Sequence, residues 1–329
     1  METDVSASQP QQRACPDGAQ DGIILALRVL VPTARFAEEI SGPGIAPIVW
    51  HLNDDPAEAP AADVLVTERP REFARRARVA NIPGLRHVHL LSIGCEWVLE
   101  HLPADVTLSN SRGAVEDSTA ELGMALILAA LRELPDAVRQ QSRHEWAPLW
   151  TTSLHGSVVL VLGHGGVGKE LLARLEPFRP AALIPVASRA RALKNGGQVH
   201  GPEELPGLLP TADVVVVTLP HDNSTRHLVD AAFLAHMKDG ALLVNIGRGP
   251  VVDTAALLAE LGTGRLRAAL DVTDPEPLPS DHPLWDAPGA LITPHMAGNT
   301  AEFLRLATEL TVTQLGRMSR GEAPLHLVQ

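Results

Sequence analysis

Residues 158–168 read Val-Val-Leu-Val-Leu-Gly-His-Gly-Gly-Val-Gly, an all-apolar run that stops at a glycine-rich turn and leads into Lys-Glu-Leu-Leu-Ala-Arg-Leu. No other feature narrows the fold as much. A strand without polar alternation is covered on both faces, which marks a parallel sheet. The helix after it must cross over and return the chain to that sheet. In the turn, Gly163 permits a sharp change of direction and Gly165 a close backbone approach to a phosphate. Gly168 lets helix and strand touch. Gly166 and Val167 open a helix whose free N–H groups suit an anion. The pattern predicts a dinucleotide site built on Gly163, Gly165, Gly166, Val167 and Gly168.

The same kind of segment recurs downstream. Apolar runs at 183–187, 214–219, 242–246, 268–272 and 291–293 alternate with helical patterns such as KELLARLEPF and TAALLAELGTG. Their spacing predicts a doubly wound parallel sheet. Upstream, LRVLVP, PIVWHL, DVLVT, HVHLL and VTLSN predict a smaller α/β unit over roughly 27–110. Between the two, Asp117 or Ser118 is placed to cap TAELGMALILAALREL, a helix apolar on nearly all sides and expected to be buried between domains or at a subunit contact. The amphipathic segment TAEFLRLATELTVTQLGRMSRG is expected to return to the first unit. The expected division is a disordered tail at 1–20, a discontinuous domain at 21–111 and 300–329, and a dinucleotide-binding domain at 112–299. A chain of 329 residues with 45% apolar content can build two cores, and with 3% aromatics and no tyrosine they must be aliphatic.

Charge and cysteine usage exclude several classes. A net charge of −12 argues against nucleic acid, and the arginines at 71–78, interrupted by Glu72, read as a solvated helix. Two cysteines, Cys15 and Cys95, make neither a disulfide framework nor a metal cage, so no metal is expected. No run approaches the ~18 apolar residues of a membrane span, and residues 1–20 lack the apolar core of a signal peptide. A cytoplasmic protein is expected.

The second strand of the large sheet ends Val186-Ala-Ser188-Arg189, followed by Arg191. A carboxylate there would favour NAD(H) through the ribose hydroxyls. With none present, Ser188 and Arg189 can instead receive a 2′-phosphate, which favours NADP(H) and leaves NAD(H) as the second choice.

Three later strand ends carry Asn245-Ile-Gly-Arg248-Gly-Pro-Val-Val-Asp253, Asp271-Val-Thr-Asp-Pro-Glu276-Pro-Leu-Pro279 and Thr293-Pro-His295-Met-Ala-Gly298. Reducing a 2-oxo acid needs a cation to hold the carboxylate and polarise the carbonyl. It also needs an acid to protonate the oxygen as hydride arrives. Arg248 supplies the first, His295 the second, and Glu276 can hold the imidazole and favour its charged form.

These blocks, NIGRGPVVD, DVTDPEPLP and TPHMAG, resemble in order and spacing the D-isomer-specific 2-hydroxyacid dehydrogenases over roughly residues 60 to 320, with an NADP-preferring hydroxypyruvate or glyoxylate reductase as the nearest type. The resemblance implies a Rossmann cofactor domain and a smaller flavodoxin-like substrate domain. It implies that Arg248, Glu276 and His295 are catalytic, and that Ile93 and Gly94 in LLSIGCEW offer backbone N–H groups to the substrate carboxylate. By the same resemblance Asp271 meets the nicotinamide carboxamide, while Leu219, Pro220, Thr225, Ile246, Gly247 and Gly298 line the cofactor cleft. A homodimer is also implied, made by the apolar helix and the Trp146/Trp150 segment. Three positions depart from the pattern: Ile93 stands for a commoner alanine, Gly247 for alanine or serine, and Thr273 for an aromatic. Gly247 is expected to loosen the backbone before Arg248. Rival readings are a formate-type dehydrogenase, which lacks a glutamate in this role, a phosphite dehydrogenase, and a dinucleotide-sensing corepressor.

Overall fold

The computed structural model describes residues 26–54, 58–70, 72–194 and 196–328, so the expected tail at 1–20 and Cys15 lie outside the described residues. The first unit runs β1 (Leu27–Val31), α1 (Ala34–Ile40), β2 (Ile45–Val49), β3 (Val64–Thr67), β4 (His87–Leu90), α2 (Glu96–Leu99) and β5 (Thr107–Asn110). All five strands are parallel, in the order β2-β1-β3-β4-β5. That is the flavodoxin-like order, reversing between β1 and β3. Leu30, Leu65, Val88, Leu90 and Trp97 fill one face. Val29, Val31, Phe36, Ile40 and Val64 fill the other. Expected strand PIVWHL pairs earlier than its apolar run suggests. The ladder opposite β1 closes at Val49, and Trp50 and Leu52 go into the core instead. The arginine-rich run does not form a wholly solvated α-helix. It folds as a 3-10 helix, Phe73–Asn81, that buries Val79 and lets Arg78 donate to the carbonyls of Leu52 and Asp54.

The second unit holds α3 (Glu116–Leu131), α4 (Leu134–Ser142), β6 (Val158–Leu162), α5 (Gly166–Leu175), β7 (Ala182–Val186), a short hairpin of β8 (Arg191–Ala192) and β9 (Gln198–Val199), α6 (Leu205–Leu208), β10 (Val214–Val217), α7 (Ala231–His236), β11 (Leu242–Asn245), α8 (Thr254–Gly262), β12 (Arg267–Leu270) and β13 (Ala290–Ile292). Its parallel sheet has the order β13-β12-β11-β10-β6-β7, reversing between β6 and β10. Most strands stop one or two residues before their apolar runs do. The last pairs are Val217↔Asn245, Asn245↔Leu270 and Leu270↔Ile292. Beyond them Ile246, Asp271 and Thr293 each keep one backbone hydrogen bond to the neighbouring strand, and with Leu219 they stand at the sheet's carboxyl edge, where such sheets place their ligands.

The apolar helix α3 starts at Glu116 rather than after Asp117 or Ser118. Neither residue caps it, and the Glu116 carboxylate accepts from the N–H groups of Gly113 and Val115. The helix ends at Leu131, because Glu133 takes a left-handed φ of 50° before α4 begins. Its apolar residues are covered within the chain: Ala120, Met124, Ile127 and Leu131 pack with Leu171, Val244, Ile246 and Ala269. The final helix, α9 (Ala301–Ser319), packs on α1 and β2, with Leu315 in the first unit's core. After it, Val328 N–H donates to Leu108 O at 2.8 Å. Ser118 and Thr300, at the starts of α3 and α9, join through their hydroxyls at 2.8 Å.

Candidate active site

At the end of β6, Gly163 takes φ +112°, and a Cβ there would stand 2.4 Å from Thr218 Oγ1. A Cβ on Gly168 would stand 2.0 Å from Gly163 O. No side chain fits at either position without moving backbone. Gly165, by contrast, faces open space. Strand and helix are thus pressed together on one side of the turn, while Gly165 stays open on the other and Gly166 packs against the Glu116 side chain. An open helix start of this kind suits an anionic group such as a pyrophosphate.

Beyond β7, Ser188 and Arg189 are exposed. Arg191 on the hairpin donates through Nη1 to Arg189 O at 3.3 Å and through Nη2 to His164 Nδ1 at 3.0 Å. Burial lowers the His164 pKa, and the charges of Arg191 and Lys169 lower it further. The imidazole of the glycine turn therefore accepts from Arg191 in its neutral form. A cavity of about 400 Å³ adjoins the hairpin, lined by Ala190, Arg191, Ala192, Gly196, Gly197 and Gln198.

The Arg248 loop is held by Asn245. Its side chain accepts from Gly247 N–H and donates to Arg248 O, each at 3.0 Å. Gly247 does not loosen this backbone, since a Cβ there would sit 2.6 Å from Leu219 O. The glycine tightens the packing of two neighbouring strand ends. Asp253 closes the motif as the N-cap of α8, accepting from Ala255 and Ala256 N–H. The Arg248 guanidinium donates to Gly247 O at 2.8 Å through Nη1 and to Glu96 Oε1 at 3.2 Å through Nε. Its Nη2 lies so close to Gly94 that a Cβ there would be 2.5 Å away. In that loop the carbonyls of Ser92, Ile93 and Gly94 are tied by Ser111 N–H, Asn110 Nδ2 and Ser92 Oγ. The amides of Ile93 and Gly94 meet no acceptor among the described residues.

His295 adopts a left-handed φ of 49°. The cost of that backbone is met by its anchoring. Its N–H donates to Asp271 O at 2.8 Å, and the buried Asp271 carboxylate accepts from Thr293 Oγ1, Met296 N–H and Ala297 N–H. Asp271, expected to meet a carboxamide, spends its carboxylate on the histidine segment. The His295 Nδ1 lies 2.7 Å from Glu276 Oε1, and Arg69 Nη2 lies 2.7 Å from the same oxygen. Burial opposes ionisation of Glu276, but hydrogen bonds and charge from His295 and Arg69 outweigh it and bring its pKa down to about 2. An ionised carboxylate can only accept, so Nδ1 carries the proton and Nε2 faces away from Glu276.

The structure therefore brings Glu276 and His295 into contact and stations Arg248 on the neighbouring strand end, against Gly94. Other expected residues sit differently. The Ile246 side chain is buried against α3, where a Cβ on Gly123 would meet it at 2.8 Å, so only its backbone can face a cofactor. Thr225 Oγ1 donates to Pro220 O at 2.8 Å and so braces the loop after β10. A Cβ on Gly298 would meet Val115 at 3.0 Å, so it packs under the start of α3. Sequence reasoning missed Arg69, Glu96 and the His164–Arg191 pair. Arg69 follows β3 at a carboxyl edge and Glu96 lies two residues after Gly94, so position alone could have flagged both.

Comparison with known proteins follows the same lines. The family model described as "D-isomer specific 2-hydroxyacid dehydrogenase, NAD binding domain" matches residues 124–297. The chain is 31% identical over 252 residues to glyoxylate reductase/hydroxypyruvate reductase of Mus musculus, covering 73% of this chain and 76% of that protein. Among solved structures, a D-isomer specific 2-hydroxyacid dehydrogenase family protein of Aeromonas salmonicida superposes with a TM-score of 0.81 at 27% identity, over 93% of this chain and 99% of that one. A D-isomer specific 2-hydroxyacid dehydrogenase of Xanthobacter autotrophicus Py2, solved with NADPH and MES, does so at 0.74 and 29%, over 92% and 98%.

Proposed function

This chain belongs to the D-isomer specific 2-hydroxyacid dehydrogenase family, and on that premise we propose that it reduces a small 2-oxo acid to the D-2-hydroxy acid, using NADPH in preference to NADH. It is an NAD(P)-dependent oxidoreductase. The observation that carries the reading is the ionised Glu276 holding His295 Nδ1 at 2.7 Å on the strand end next to Arg248.

The residues divide the work as follows. Arg248 grips the substrate carboxylate and polarises the carbonyl, helped by the amides of Ile93 and Gly94. His295 gives the Nε2 proton to the carbonyl oxygen, and Glu276 keeps the opposite nitrogen protonated and the ring oriented. The dinucleotide, when bound, supplies the hydride to substrate C2. Gly163, Gly165, Gly166, Val167 and Gly168 would hold its pyrophosphate, and the accessible cradle at Gly165 fits that group. Leu219, Pro220, Thr225, the Ile246–Gly247 backbone and Gly298 would wall the remainder.

The NADPH preference rests on Ser188 and Arg189, exposed beyond β7, and on Arg191 braced against His164. No carboxylate stands at that strand end to repel a 2′-phosphate. Domains at 21–111 with 300–329 and at 112–299 would place the cleft between the two sheets. The homodimer reading keeps the Trp146/Trp150 segment and loses α3, which is already covered within the chain. Val138 is 62% exposed, and Trp146 and Trp150 are 98% and 99% exposed, so the segment from α4 to β6 carries the apolar surface a second copy would cover. Among the described residues no helix is long and apolar enough to cross a membrane, and a cytoplasmic enzyme agrees with that.

The test is NADPH oxidation by purified protein against a panel of 2-oxo acids. Sustained turnover with a D-2-hydroxy product is the expected result. Cofactor binding without turnover on any of them would refute the reading and favour a dinucleotide sensor.

A further inference from the structure

The glycine turn carries one polar side chain whose partner comes from a different element. His164 lies between Gly163, where no Cβ fits, and Gly165, which faces open space. Its Nδ1 is 3.0 Å from Nη2 of Arg191 on the β8–β9 hairpin. A guanidinium only donates, so Nδ1 accepts and the ring proton sits on Nε2. Burial lowers the His164 pKa, and the charges of Arg191 and Lys169 lower it further, which keeps the ring in that accepting form. Arg191 also donates through Nη1 to Arg189 O at 3.3 Å. Both of its partners are therefore uncharged acceptors, and most of its five N–H groups stay open. The side chain is exposed and lines the cavity of about 400 Å³ beside the hairpin.

Place and charge decide which ligand this suits. In a doubly wound sheet, the end of the strand after the glycine turn meets the adenosine ribose, and groups there read its 2′ position. Arg191 stands just beyond that strand end, tied to Arg189 O, while His164 belongs to the turn that suits the pyrophosphate. An arginine on a two-residue strand would lose rotamer freedom on gripping a phosphate. Held beforehand by an acceptor on the rigid side, it has already lost that freedom and presents a fork that fits two phosphate oxygens. The acceptor must be uncharged. A carboxylate in its place would neutralise the guanidinium and repel a dianion, and an imidazolium would repel the guanidinium itself.

We propose that His164 is a positioning residue for coenzyme choice, its Nδ1 holding Arg191 in place to receive the 2′-phosphate of NADPH. The selector is then a pair drawn from the glycine turn and the β8–β9 hairpin, beside the Ser188–Arg189 strand end. This rests on the NADPH reading above.

The experiment has a kinetic arm and a binding arm, both on the full-length protein. The first measures kcat/KM for NADPH and for NADH with a 2-oxo acid that the protein reduces. His164→Leu removes the acceptor and should lower the NADPH/NADH ratio about 10-fold, through KM for NADPH, as loss of a positioned charge-assisted hydrogen bond allows. His164→Asn, whose Oδ1 can stand where Nδ1 stood, should restore most of the ratio. Arg191→Gln should lower it at least as far, and adding His164→Leu to Arg191→Gln should change it no further, because the histidine acts through the arginine. Equal falls in kcat/KM for both coenzymes in His164→Leu, or additive losses in the double variant, would overturn the proposal. The second arm titrates adenosine 2′,5′-bisphosphate against 5′-AMP by calorimetry and needs no turnover. Tighter binding of the bisphosphate, lost in His164→Leu and kept in His164→Asn, is the expected result. Equal binding of the two nucleotides by the unaltered protein sinks this inference, while turnover with NADH would leave the dehydrogenase reading standing. A bisphosphate preference that depends on His164, in a protein that turns over no 2-oxo acid, would do the reverse.

Discussion

Glu276 Oε1 accepts from His295 and from Arg69, one partner from each unit of the chain. At the residue scale this fixes what substitution should do. His295→Gln removes the proton donor while leaving the glycine turn untouched. Turnover should fall by about 1,000-fold or more, with NADPH affinity within a few-fold, as read by fluorescence titration. Lost NADPH binding with preserved turnover would contradict the role. Glu276→Gln removes the negative charge that holds the imidazole, so kcat should fall about 10- to 100-fold. With its pKa near 2, Glu276 stays ionised throughout the working range, so it contributes no acid limb of its own above pH 4. Beyond β7, Ser188→Asp with Arg189→Ala should turn coenzyme preference towards NADH. An unchanged NADPH/NADH ratio of kcat/KM would mean that Arg191 and His164 are the selectors instead.

Among elements, the contacts between strand ends and helix starts decide how well the site is held. Gly247 illustrates it. Alanine is commoner there in the resembled family, yet here the added methyl would meet Leu219 O at 2.6 Å. Gly247→Ala should therefore displace the Arg248 loop against β10. The expected outcome is a KM for 2-oxo acid raised about 10-fold with a stability loss of about 1–3 kcal/mol by urea unfolding. Wild-type kinetics in that variant would show that the loop has slack. The cap of α8 is a separate device, since Asp253 binds two backbone N–H groups of its own helix. It belongs to the same sequence motif as Arg248 but serves stability.

Over the whole molecule, the two units join through the Arg69–Glu276 and Arg248–Glu96 ion pairs, the Ser118–Thr300 hydrogen bond and the return of α9. Stability against acid is set elsewhere, in the core of the first sheet. His87 bonds Thr107 and Ser109, and His89 bonds Ser109, all at 2.7–2.8 Å. Burial lowers the His87 pKa to about 4; burial, with His87 and His326 nearby, lowers that of His89 to about 3. Below the unfolded value of 6.5 the unfolded chain takes up protons that the folded chain refuses. Stability is therefore full above pH 6.5 and falls as pH drops towards 3. Each histidine should cost about 2 kcal/mol by pH 5, and His89→Leu should flatten that slope in urea titrations at pH 5 and pH 7.5. An equal slope in the variant would place the acid sensitivity at other groups.

Much of this was legible in the chain. Unbroken aliphatic runs can be satisfied only in sheets covered on both faces, so 158–162, 214–217 and 242–244 declare their parallel pairing without help from the rest of the molecule. The glycine turn and the blocks around Arg248, Glu276 and His295 are equally local, because each lies at the end of one such strand. What the sequence could not decide was partnership across the cleft. Arg69 meets Glu276 at a separation of 207 residues, and Arg248 meets Glu96 at 152. The arginine run at 71–78 looks like any solvated surface when read along the chain. Spacing along one element determines its periodicity, turns and caps. Which charge faces which depends on how two sheets are set against each other, and only the folded chain fixes that.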